Sequence, residues 1–152
     1  EHQANAAVMQ YACWALKNLA ALDANRARIA AAGGIEAVVR VMGEHQANAA
    51  VMQYACWALK NLAALDANRA RIAAAGGIEA VVRVMGEHQA NAAVMEQACW
   101  ALCNIGWSDE ALQKRIKDAG AEPLVRAAVA APDATDKTKK WGQTLLDKLG
   151  KV

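Results

Sequence analysis

Residues 1–43 read EHQANAAVMQYACWALKNLAALDANRARIAAAGGIEAVVRVMG, and residues 44–86 repeat that string without one change. A third copy opens at Glu87 with EHQANAAVM and then drifts. Glu96-Gln97 stands where Gln53-Tyr54 stood, Cys103 replaces Lys60, and beyond Gly106 only the pattern survives. A tandem period of this size marks a solenoid: one unit cannot bury its apolar face alone, so neighbouring units must stack.

Within one period the sequence predicts three helices. Asp23 is read as the N-cap of a short helix from Ala24 to Ala32, ended by Gly33-Gly34. A second short helix spans Ile35 to Met42 and stops at Gly43, and a long third runs from about Ala47 to Leu65. The last unit follows with Asp109 to Ala119, Glu122 to Ala131 and Asp133 to Leu149, Pro132 lying at a joint. The chain therefore starts in a third helix. Residues 1–22 form an orphan, 23–65 and 66–108 are full repeats, and 109–152 is a Lys-rich terminal repeat that looks like a cap, all in one domain of 1–152.

Composition agrees. Of 152 residues, 39 are alanine and none is phenylalanine, which favours helix over sheet, and the 56% hydrophobic content excludes a disordered chain. A net charge of +2 gives no general reason to expect nucleic acid or acidic lipid as a partner. No apolar run approaches the ~20 residues that cross a bilayer, and the start carries no signal-peptide pattern. Cys13, Cys56, Cys99 and Cys103 sit in Ala/Leu-rich helical stretches and read as buried thiols of a reducing compartment. No cofactor or metal is expected. His2, His45 and His88 fall one per unit at the junctions, where solvated loop or helix-start residues are expected, and Arg26, Arg28 and Arg40 are assigned to outer-face solvation.

Two stripes divide the long helix. Val8, Ala12, Ala15, Leu16 and Leu19 are wholly apolar and are expected in the core. Ala7, Gln10, Tyr11, Trp14, Lys17, Asn18 and Ala21 form a mixed stripe suited to an accessible face. Its copies include Gln53, Tyr54, Trp57, Lys60 and Asn61, then Glu96, Gln97, Trp100, Cys103, Asn104 and Trp107.

The strings Trp14-Ala-Leu-Lys-Asn18, Trp57-Ala-Leu-Lys-Asn61 and Trp100-Ala-Leu-Cys-Asn104 resemble the armadillo-repeat signature. Ile29 to Val38, Ile72 to Val81 and Ile116 to Val125 resemble the family's Gly-containing joint between its short helices. The resemblance covers essentially the whole chain. It implies an all-α fold, a right-handed α-α superhelix of about three and a half three-helix repeats, and a cytoplasmic or nuclear parent.

It also implies a concave groove that binds extended peptides or protein segments, with Asn on the peptide backbone and Trp as an apolar wall. The chemistry is sound, since an extended strand offers one donor and one acceptor per residue and an Asn amide can meet both. The residues carried over are Gln10, Tyr11, Trp14, Lys17, Asn18, Gln53, Tyr54, Trp57, Lys60, Asn61, Glu96, Trp100 and Asn104. Lys17 and Lys60 lean the groove towards acidic ligands. The terminal repeat has no Trp or Asn in register, and Trp141 is placed off the ladder, leaving three rungs and weak binding.

No catalytic constellation is present, so a non-enzymatic scaffold is expected. Perfect identity over 43 residues points to a unit copied in tandem, by engineering or by very recent duplication. The alternative is a ligand-free structural repeat. Either way the orphan helix would expose Val8, Met9, Ala12, Cys13, Leu16 and Leu19, and a two-fold homodimer through that face is expected.

Overall fold

The computed structural model describes residues 5–152. Among them are ten α-helices and no strand: α1 (Ala6–Leu19), α2 (Asp23–Ala31), α3 (Gly34–Glu44), α4 (Ala49–Leu62), α5 (Asp66–Ala74), α6 (Gly77–Glu87), α7 (Ala92–Ile105), α8 (Glu110–Asp118), α9 (Ala121–Ala130) and α10 (Asp136–Leu149). Helices α1, α4, α7 and α10 stack side by side as one layer. Helices α3, α6 and α9 back the long helix that follows each, and α2, α5 and α8 close the third edge of each layer. No helix is long and apolar enough to cross a membrane among the described residues.

Local chemistry sets the boundaries. The long helices begin at Ala6, Ala49 and Ala92 because Asn5, Asn48 and Asn91 cap them: each Oδ1 accepts from a backbone N–H of the first turn at 3.0 Å. The Asn48 cap starts the third helix at Ala49 instead of the expected Ala47, and the helix ends at Leu62 instead of Leu65. Asp23 does not cap α2. Leu22 holds that position, while Asp23 is the first helical residue and accepts from Arg26 at 2.7 Å. Asp109 does cap α8, and Thr135 rather than Asp133 starts α10. Gly33, Gly76 and Gly120 have φ of 84°, 82° and 88°, so the turn between the two short helices uses the left-handed backbone that glycine adopts without steric cost.

The expected core stripe splits by copy. Val51, Ala55, Ala58, Leu59 and Leu62 of α4 are all buried. In α1 the same stripe is open: Val8 is 40% and Leu19 52% exposed, Ala12 and Ala15 are exposed and Leu16 is half-buried. The reason is geometric, since α4 lies between α1 and α7 whereas α1 has α4 as its stacking partner on one side.

The arginines are not simple outer solvation. Arg26 Nε donates to the Ala20 carbonyl at 2.8 Å, and Arg69 Nε to that of Ala63 at 2.9 Å, so each ties down carbonyls just beyond a long helix. Arg71, the copy of Arg28, reaches Glu36 of the previous unit at 2.9 Å, and Arg115 reaches Glu79 at 3.0 Å. Arg83, the copy of Arg40, donates to the Met42 carbonyl at 3.1 Å. His45 and His88 cap the ends of α3 and α6 and are half-buried, and a ring nitrogen of His88 lies 2.6 Å from the Gln46 carbonyl. His2 lies outside the described residues. All four cysteines are free and buried, and burial pushes the Cys13 and Cys103 thiols up to about 11 and those of Cys56 and Cys99 to about 12.

Candidate peptide groove

The mixed stripes of α4 and α7 meet α10 around a hollow of about 410 Å³, lined among others by Gln53, Trp57, Lys60, Glu96, Gln97 and Trp100. The tryptophans are not sealed between layers. Trp57 and Trp100 are half-buried, and Trp14 on α1 is 47% exposed. Tyr11 and Asn18 are exposed and Gln10 is half-buried, whereas Gln53, Tyr54 and Asn61 in the inner copy are half-buried.

The asparagines lock unit to unit. Asn61 Nδ2 donates to the Lys17 carbonyl at 2.8 Å, and Asn104 Nδ2 to the Lys60 carbonyl at 3.0 Å. One amide hydrogen and the oxygen of each side chain are left over from that bond. Asn18 has no such bond among the described residues.

The lysines cross the gaps. Lys17 Nζ lies 3.6 Å from the Trp57 ring centroid and 5.9 Å from that of Tyr54. Lys60 Nζ sits between two indoles, 4.0 Å from Trp100 and 4.9 Å from Trp57. Lys137 of α10 stands 5.6 Å from Trp100. Each long-helix lysine therefore lies against the tryptophan of the next layer, where a cation is held by the ring quadrupole. Lys60 is only 6% exposed. Burial lowers its pKa from 10.5 to about 8; Lys137 and Lys17 push the same way, and Glu96 opposes them.

The surroundings of two residues named in the sequence are new in the structure. Trp141 stands off the Trp register, as expected, yet it stacks on Trp100 with centroids 5.0 Å apart and planes 15° from parallel. It is the sixth residue of α10, the place that Tyr54 holds in α4 and Gln97 in α7, and from there its ring reaches the neighbouring indole. Trp107 meets the edge of Trp141 at 6.4 Å, and Lys148 closes over it while donating to its carbonyl at 2.8 Å. Gln97 is the other. It is buried beside Glu96, and its Oε1 has no hydrogen-bond partner among the described residues.

Comparison with known proteins agrees with this geometry. The family model described as GAC ARM domain matches residues 1–139. No curated protein sequence matches. Among solved structures, an engineered protein from the Northeast Structural Genomics Consortium is 26% identical with a TM-score of 0.84, over 95% of this chain and 58% of that one. A designed armadillo repeat protein is 24% identical with a TM-score of 0.83, over 95% and 59%. Another designed armadillo repeat protein, in complex with peptide (KR)4, is 22% identical with a TM-score of 0.80, again over 95% and 59%. The chain thus spans a little over half the length of these relatives. Its layered helices share the fold of these armadillo solenoids, and the chain belongs to the armadillo-repeat family through its GAC ARM domain.

Proposed function

We propose that the protein is a non-enzymatic scaffold whose layer of long helices binds an extended peptide across Trp57, Asn61, Trp100 and Asn104. The observation that carries this reading is the open hollow walled by Trp57 and Trp100, with Asn61 and Asn104 one helical turn further along the same two helices. Each Asn is positioned by a bond to the preceding layer and retains a donor and an acceptor for a strand. A designed armadillo repeat protein carries a peptide in its complex with (KR)4, which supports peptide binding as a use of this fold. Thiols whose pKa burial raises make poor nucleophiles, in keeping with a role outside catalysis.

The test is fluorescence anisotropy with labelled extended peptides on wild type and on Asn61→Ala, with circular dichroism as a folding control. Loss of binding in the folded variant supports the groove. Binding indifferent to Asn61→Ala, or no binding of any peptide, refutes it and leaves the ligand-free repeat.

A second reading concerns self-association. Met9, Ala12, Cys13 and Leu16 of α1 face Ala37, Val38 and Val41 of α3 across an apolar hollow of about 200 Å³, and Val8 and Leu19 are exposed apart from it. Cys13 itself is buried, so it would contribute only through its neighbours. A second copy paired on this face would form a closed two-fold dimer. Sedimentation velocity of wild type and of Leu16→Glu, on the wall of that hollow, decides it: a dimer turned monomer by the charge supports pairing, and a monomer in both, or a dimer in both, removes pairing on this face.

A further inference from the structure

We infer that the ligand of this groove is an acidic segment, its carboxylates received by the ammonium groups of Lys17, Lys60 and Lys137 that this chain holds against its own tryptophans. The inference rests on the groove reading above and adds the sign of the partner's charge.

Three observations carry it. First, the aromatic faces are already occupied by cations. Lys17 lies over Trp57, Lys60 between Trp57 and Trp100, and Lys137 over Trp100. A basic ligand side chain would have to displace one of them and face the other two, so like-charge repulsion opposes it. Second, the hollow is unbalanced. Glu96 is its sole lining carboxylate among the described residues, against Lys60 and Lys137 on the wall. Third, Lys60 is nearly sealed yet makes no ion pair or hydrogen bond among the described residues, its partners being two ring faces. An ammonium offers three donors and a ring takes none of them as a directed hydrogen bond, so a carboxylate entering the hollow gains charge-assisted bonds without a competing partner to break.

A pH dependence follows. The groups facing Lys60 are Lys17 from α1, Glu96 from α7 and Lys137 from α10. Two cations oppose one anion, and burial adds to them, so Lys60 loses its proton at about 8 instead of 10.5. A ligand carboxylate favours the protonated form, so its affinity falls as pH rises through that value.

The experiment compares alternating Glu-Leu, Gln-Leu and Lys-Leu peptides by anisotropy at low salt, on wild type, Lys60→Met, Lys137→Gln and Lys114→Gln. Lys137 is exposed, so its variant keeps the test alive should Lys60→Met misfold, and Lys114 on α8 pairs with Asp118 away from the groove. The Glu-Leu peptide is expected to bind about tenfold tighter than Gln-Leu, with Lys60→Met and Lys137→Gln each removing several-fold and Lys114→Gln removing nothing. Affinity for it should fall between roughly pH 7 and pH 9.5. Should Gln-Leu or Lys-Leu bind as well as Glu-Leu, with Asn61→Ala abolishing the binding, the groove stands and the acidic partner is overturned. If no peptide binds, both readings fall.

Discussion

Helices α1 and α4 carry the same fourteen residues, AAVMQYACWALKNL, and end up in different surroundings. In α4 eight of them are buried, and in α1 only Cys13 is. Val8 and Leu19 remain open to solvent while Val51 and Leu62 are fully enclosed. The stripe is a property of the helix, but its burial belongs to the stack. A second layer supplies what the periodicity only invites. The same holds for the polar stripe: Asn61 finds the Lys17 carbonyl because a layer precedes it, and Asn18 has none before it among the described residues.

The largest expected effect breaks the two copies apart by a matched substitution. Leu62→Ala should cost about 2–5 kcal/mol, because it opens a cavity between packed layers. Leu19→Ala should cost less than about 1 kcal/mol, since half of that side chain is already in water. Urea denaturation of both variants checks the difference, and equal losses would mean that the two helices are equivalently packed.

Next in size is the inner lysine. Lys60→Met should leave the protein about 1 kcal/mol more stable at neutral pH, because a buried cation is exchanged for an apolar chain of similar length at the cost of the ring contacts. The sign with pH is fixed by linkage. The folded pKa of about 8 lies below the ordinary 10.5, so between them the unfolded chain binds more protons and stability rises with pH. The gap between wild type and Lys60→Met should therefore close as pH climbs from 8 to 10.5, measured by thermal melts of the pair.

The smallest effect concerns the seams between units. Burial is the largest single influence on Glu79 and opposes its charged form, yet the hydrogen bond from Arg115, a backbone hydrogen bond and the Arg115 charge together outweigh it and lower its pKa below the ordinary 4.5; at Glu36 the hydrogen bond from Arg71 leads and lowers it too. Their contribution is complete above that value and is lost as pH falls through the lowered one. Glu79→Gln should cost a few tenths of a kcal/mol at neutral pH and nothing in strong acid, screened further by salt. A loss that persists in acid would assign the effect to packing instead.

Much of this was legible in the residues. The exact 43-residue period, the Gly-Gly joints and the three Trp…Asn strings announce stacked three-helix units. The misreadings have one physical source: spacing along a helix describes its own face and is silent about the next layer. Lys17 and Lys60 looked like solvated groove residues, but their stems reach across to the following indole. Arg26 and Arg69 looked external, but their guanidinium groups turn back to free carbonyls at the end of the preceding long helix. Trp141 is off the Trp register as read, at the Tyr54 position of the stripe, but the spacing could not show that its ring stacks on Trp100 of the neighbouring helix. Asn48 and Asn91 are ordinary N-cap residues standing before Ala-Ala, a signal the periodicity reading passed over.

Native-state hydrogen exchange by NMR, on protein isotopically labelled only in residues 1–43 or only in 44–86, tests the stacked-layer account most directly. The Leu59 amide should exchange at least ~100-fold more slowly than the identical Leu16 amide, because opening α4 must separate two interfaces and opening α1 separates one. Equal protection at the two leucines would contradict it.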